Sequence, residues 1–146
     1  MSTQAPAVVR VTHRFRAPAE RVFDAWLDPA MASRFLFATP TGQMVRTDID
    51  PRVGGTFVIT ERRDGEDAEH TGEYLEIDRP RRLVFTFLVP KHSRTPARVE
   101  IDIVPLEGGC ELTLTQTMPA EFAGYTDRSR EGWTHIVRGL AAVLGE

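Results

Sequence analysis

The last stretch of the chain, Asp127 to Leu144, constrains the fold more than any other. Trp133, Ile136, Val137, Leu140, Val143 and Leu144 recur at the i, i+3, i+4, i+7 spacing that gathers apolar side chains on one face of a helix. Arg128, Arg130, Glu131, Thr134 and Arg138 fall elsewhere, so the helix is amphipathic and must lay one stripe against the rest of the chain. Thr126 or Asp127 can cap its start, and Gly145 stands where a glycine releases the last turn. Gly132 and Gly139 interrupt the pattern at about 1 kcal/mol each relative to alanine, which predicts close packing against the backbone at both.

The partner for that stripe is a run of strands. Ala7 to Arg16 alternates, with Val9, Val11, His13 and Phe15 on one face. Pro18 opens a short helix that buries Val22, Phe23, Trp26 and Leu27, and Asp28-Pro29 repeats the device for a second, Pro29 to Leu36. Strands follow at Gln43 to Ile49, Thr56 to Glu61, Glu69 to Ile77, Leu83 to Val89, about Val99 to Ile103, and Cys110 to Met118, with Asp64-Gly65 as a hairpin turn. One strand, two short helices, about six meandering strands and a long helix predict an α+β fold: a curved antiparallel sheet wrapped around the C-terminal helix.

With 146 residues the chain suits one domain, 1–146, able to bury roughly 68% of its unfolded surface. A net charge of −3 predicts no nucleic-acid partner. Apolar runs are too short to span a membrane, and Met1 to Ala7 is too short and polar for a secretory signal. The single cysteine, Cys110, permits no intrachain disulfide and reads as structural, so the expected location is cytoplasmic.

Several local sequences, in order, resemble the SRPBCC or START-like superfamily, whose fold is the helix-grip. They are Ala17-Pro-Ala-Glu-Arg-Val-Phe-Asp-Ala-Trp26 with Asp28-Pro29; Asp50 through Gly54-Gly55-Thr-Phe57; Gly72-Glu-Tyr-Leu-Glu-Ile-Asp-Arg-Pro80 running into Arg82-Leu-Val-Phe-Thr-Phe87; Gly109-Cys-Glu-Leu-Thr-Leu-Thr115; and Gly132-Trp133 with Leu140 and Leu144. More narrowly, the chain is similar to the branch named for the activator of the heat-shock chaperone ATPase, a group that includes polyketide cyclase-like proteins. Where many relatives carry a histidine near the end of the last strand, this chain has Gln116, which removes a titrating group from that position.

Together, strand parity and the resemblance imply a cavity between the helix and the sheet for a small hydrophobic or amphipathic molecule, with no cofactor. Its expected lining is Trp26, Phe35, Phe37, Phe57, Ile59, Glu61, Phe85, Phe87, Ile101, Leu114, Gln116, Trp133, Ile136, Val137 and Leu140. The same alternation equally describes a filled core. Glu61 and Gln116 are polar on an otherwise apolar face, so each needs a partner, a ligand or water at a strand end. A buried Glu61 with a raised pKa, helped by Gln116 or Tyr125, is the alternative reading: a cyclase or dehydratase-like enzyme. A third is a chaperone ATPase activator-like stress protein with a chaperone contact, and a homodimer stays open beside all three. No histidine spacing suggests a metal, and Lys91, His92 and Arg94, with Arg98 beyond, form a basic connection that suits a phosphate, an acidic partner or solvent.

Overall fold

The computed structural model describes residues 6–90 and 95–146. Most of the leading stretch, and the basic residues Lys91, His92 and Arg94, therefore lie outside the described residues. In chain order the elements are β1 (Ala7–Phe15), α1 (Ala19–Ala25), α2 (Pro29–Ala32), β2 (Gln43–Ile49), β3 (Thr56–Arg63), β4 (Glu66–Asp78), β5 (Arg82–Phe87), β6 (Ala97–Leu106), β7 (Gly109–Met118), a 3-10 turn (Ala120–Tyr125) and α3 (Thr126–Val143). The strands form one antiparallel sheet in the order β1-β7-β6-β5-β4-β3-β2. The two short helices carry the chain from one sheet edge to the other, and the remaining strands return as a meander. The sheet, the two helices after β1 and the long terminal helix are those predicted from periodicity.

Local chemistry explains most of the boundaries. Asp28 accepts the Ala30 N–H at 3.0 Å with Pro29 at the first helical position, but α2 stops after one turn at Ala32, short of the predicted Leu36. Beyond it Phe37 adopts a φ of 57°, which no helix continues. The β3–β4 hairpin turns on Asp64 and Gly65, both at positive φ. β4 pairs along its first half with β3 and along its second with β5, and a register shift between Tyr74 and Glu76 marks the bend. Gly72 sits at that bend, where a Cβ would strike the Thr86 carbonyl oxygen and the Phe57 ring.

α3 differs from expectation at its start and matches it at its end. Neither Thr126 nor Asp127 caps it: the 3-10 turn feeds straight into the helix, the Thr126 hydroxyl donates to the Ala123 carbonyl, and Asp127 accepts from Arg130. At the other end Gly145 takes a φ of 83°, its N–H donates to the Ala142 carbonyl, and the Glu146 N–H donates to the Ala141 carbonyl. The Glu146 carboxylate then accepts the Arg16 and Ala17 N–H groups at 2.6 and 2.8 Å, tying the helix end to the chain leaving β1. Of the two interior glycines only Gly139 faces a neighbour, Phe35; nothing lies near Gly132.

The core occupies the concave side. Trp133, Ile136, Val137, Leu140 and Ala141 of α3 are buried together with Val9, Phe57, Ile59, Leu83, Phe85, Val99, Ile101, Ile103, Leu112 and Leu114 of the sheet and Val22, Phe23, Trp26 and Phe35 from the helical elbow. The convex side carries ion pairs, with Arg82 reaching Glu76, Glu100 and Asp102, and Arg98 reaching Glu100. Cys110 is buried, its thiol donates to the Ala17 carbonyl at 3.5 Å, and burial pushes its pKa up. Both its burial and the raised pKa disfavour the thiolate.

Candidate functional site

Glu61 and Gln116, the polar residues expected on the concave face, are both buried. Glu61 is 1% exposed and fully engaged. The Thr39 N–H donates to one carboxylate oxygen at 2.7 Å, and the Thr39 hydroxyl and Arg63 Nε donate to the other at 2.7 and 2.6 Å. Arg63 also donates to the Phe37 carbonyl at 3.1 Å. Burial, the largest influence, favours the neutral acid, but these donors and the Arg63 charge together outweigh it and hold the carboxyl below its ordinary range. The expectation of a raised pKa is thereby corrected: Glu61 is a fixed carboxylate that fastens the loop after α2 to β3.

Gln116 is 2% exposed, and its Oε1 accepts the Trp133 indole N–H at 2.8 Å, so β7 is bonded to α3 across the core. Neither residue sits in water at a strand end: the Glu61 carboxylate and the Gln116 amide oxygen each accept from a protein donor.

Between these two positions aromatic rings close the middle of the interior. Phe37 stacks on His70 at 4.2 Å and approaches Phe57, Phe87 and Trp133 at 6.3, 5.4 and 5.7 Å. His70 is buried with Nδ1 unbonded, and burial, then the Arg63 charge, lower its pKa to about 4. It is a neutral ring in an aromatic stack, a role its isolated place in the sequence did not reveal. Trp26, Phe35, Phe57, Ile59, Phe85, Ile101, Leu114, Ile136, Val137 and Leu140 are brought onto the shared interior as expected, and there they pack against one another.

Open space lies at one end. A pocket of about 510 Å³ is bounded by Phe87, Leu88, Val89, Thr95 and Ala97 of β5, β6 and their connection, by Gln116, Met118 and Pro119 at the end of β7, by Phe122 and Tyr125 of the 3-10 turn, and by Arg128 and Ser129 of α3. Of the expected lining only Phe87 and Gln116 reach it. Phe122 and Tyr125 are absent from the expected lining, where Tyr125 entered only as a helper to Glu61, because Ala120–Tyr125 has neither strand nor helix period; their i, i+3 spacing is the signal that a one-turn apolar face leaves. Among the described residues no group of His, Cys, Asp and Glu could hold a metal, and no helix is long and apolar enough to cross a membrane.

This architecture coincides with a known family. The model described as Activator of Hsp90 ATPase homolog 1-like protein matches residues 16–145. The chain belongs to that family. Solved structures agree: a Chromobacterium violaceum protein is 25% identical with a TM-score of 0.79, covering 93% of this chain and 95% of its own. A Nitrosomonas europaea protein, 18% identical, superposes with a TM-score of 0.83 over 95% and 94% of the two chains. An AHSA1-like protein from Aeromonas hydrophila, also 18% identical, gives 0.81 over 94% and 92%. No protein of curated function matches. Membership in the AHSA1-like family identifies a ligand-binding fold in general terms.

Proposed function

We propose that this AHSA1-like chain is a non-catalytic binding module that holds a small, mostly apolar molecule between the start of α3 and the ends of β5, β6 and β7. The pocket of about 510 Å³ carries this reading, because its volume falls within the range of small-molecule sites and its walls are mainly apolar around a few polar groups. Glu61 lies outside the lining and is already saturated with donors, so an acid or base role for it has no geometric support. A cytoplasmic location accompanies the reading, since Cys110 needs no oxidising compartment.

Native mass spectrometry of the full chain after incubation with a metabolite extract tests the proposal. The expected result is a retained, chemically unaltered molecule, lost when Ala97→Trp fills the pocket. A bound product differing from the added compound would point instead to catalysis, and no retained molecule would remove the binding role.

A further inference from the structure

Among the described residues the pocket is bordered by a cation and by no carboxylate, and this bears on what enters. Trp133 can only donate, so its bond to Gln116 Oε1 fixes the amide orientation and turns the NH₂ group away from the indole. Gln116 is only 2% exposed and borders the pocket, so that NH₂ group is available to a molecule lodged there. An acceptor oxygen on a guest can take a hydrogen bond from it.

Charge points the same way. Arg128 is the only charged side chain in the lining, and no Asp or Glu is present there among the described residues. Asp127, its neighbour in sequence, is held by Arg130 at 3.1 Å, and Arg128 itself makes no ion pair among the described residues. Arg128 in the first turn of α3 is exposed, whereas Gln116 on β7 is buried, which sets the order of the two donors. The site is thus a cation at the rim and a neutral donor deeper in, with apolar walls formed by Phe87, Ala97, Met118 and Phe122.

Resting on the binding role above, we propose that the pocket selects carboxylate-bearing amphiphiles over neutral or cationic ones of the same body, with Arg128 holding the anionic head and Gln116 donating to an acceptor oxygen.

Isothermal titration of the full chain at neutral pH and low salt with octanoate, 1-octanol and octylamine tests this. Octanoate is expected to bind at least about tenfold more tightly than octylamine, as a charge-assisted contact allows. Arg128→Gln, at an exposed position, should narrow that gap to about threefold or less. Gln116→Glu keeps an acceptor for Trp133 while replacing the amide donor with negative charge, and should weaken octanoate and strengthen octylamine. Equal binding of all three probes overturns the charge preference and leaves the binding role standing. Binding of none overturns both. A preference for octanoate unchanged in Arg128→Gln and Gln116→Glu overturns its assignment to these side chains.

Discussion

Glu61 and His70 sit beside the same Phe37 and Arg63, and both make the fold sensitive to acid. The Glu61 carboxyl is held below its ordinary range, so its contribution is complete above the unfolded carboxylate pKa and is lost as pH falls through the folded value. His70 is lowered from 6.5 to about 4, so the unfolded chain binds the extra proton first and stability declines as pH drops through that interval. His70→Phe preserves a ring against Phe37 and removes the titration. Urea unfolding at stepped pH should show a shallower decline between 6.5 and about 4 for this variant than for the parent. Glu61→Gln weakens the charge-assisted bonds from Arg63 and Thr39, and is expected to destabilise the fold at pH 7 by roughly 1 to 3 kcal/mol while flattening the decline at lower pH. An unchanged acid profile in both variants would contradict the assignment.

At the scale of elements, the bend in β4 and the seating of α3 decide how much room remains inside. Gly72 lets β4 pass close to Thr86 and over the Phe57 ring, and Gly72→Val is expected to lower stability by about 2 kcal/mol or more, read as a lower urea midpoint. α3 offers an opposite prediction. With nothing near Gly132, its replacement by alanine should stabilise the protein by up to about 1 kcal/mol through helix propensity alone. At Gly139 the added methyl meets the Phe35 Cβ at 3.4 Å, so Gly139→Ala should stabilise less. Equal midpoints for the two alanine variants would show that Phe35 does not restrict the helix there.

Considered whole, the molecule packs a continuous core and carries a pocket at one end, so the ligand proposed for that pocket should couple to fold stability. A ligand that binds only the folded chain raises stability by about 2.7 kcal/mol at a hundredfold excess over its Kd. The melting temperature should therefore rise with octanoate in the parent and stay flat in Ala97→Trp; a rise in both would place the ligand elsewhere. Much of this architecture was legible in the sequence. Period-two alternation, Asp28-Pro29, Asp64-Gly65 and the apolar stripe of α3 act through neighbours a few residues away, so the strands, their faces, the helical elbow and the terminal helix could be read from local pattern. Parity likewise placed Glu61 and Gln116 on the inner face. What parity could not supply was distance across the fold: whether Glu61 meets a cation or water, whether His70 finds Phe37, and whether aromatic rings fill the space between helix and sheet. Tertiary packing decided those questions, because pKa and free volume depend on side chains from remote segments that share a site only after the sheet has curved. It filled the middle with rings and left the opening beside Met118, Phe122 and Arg128, where no periodic pattern announces it.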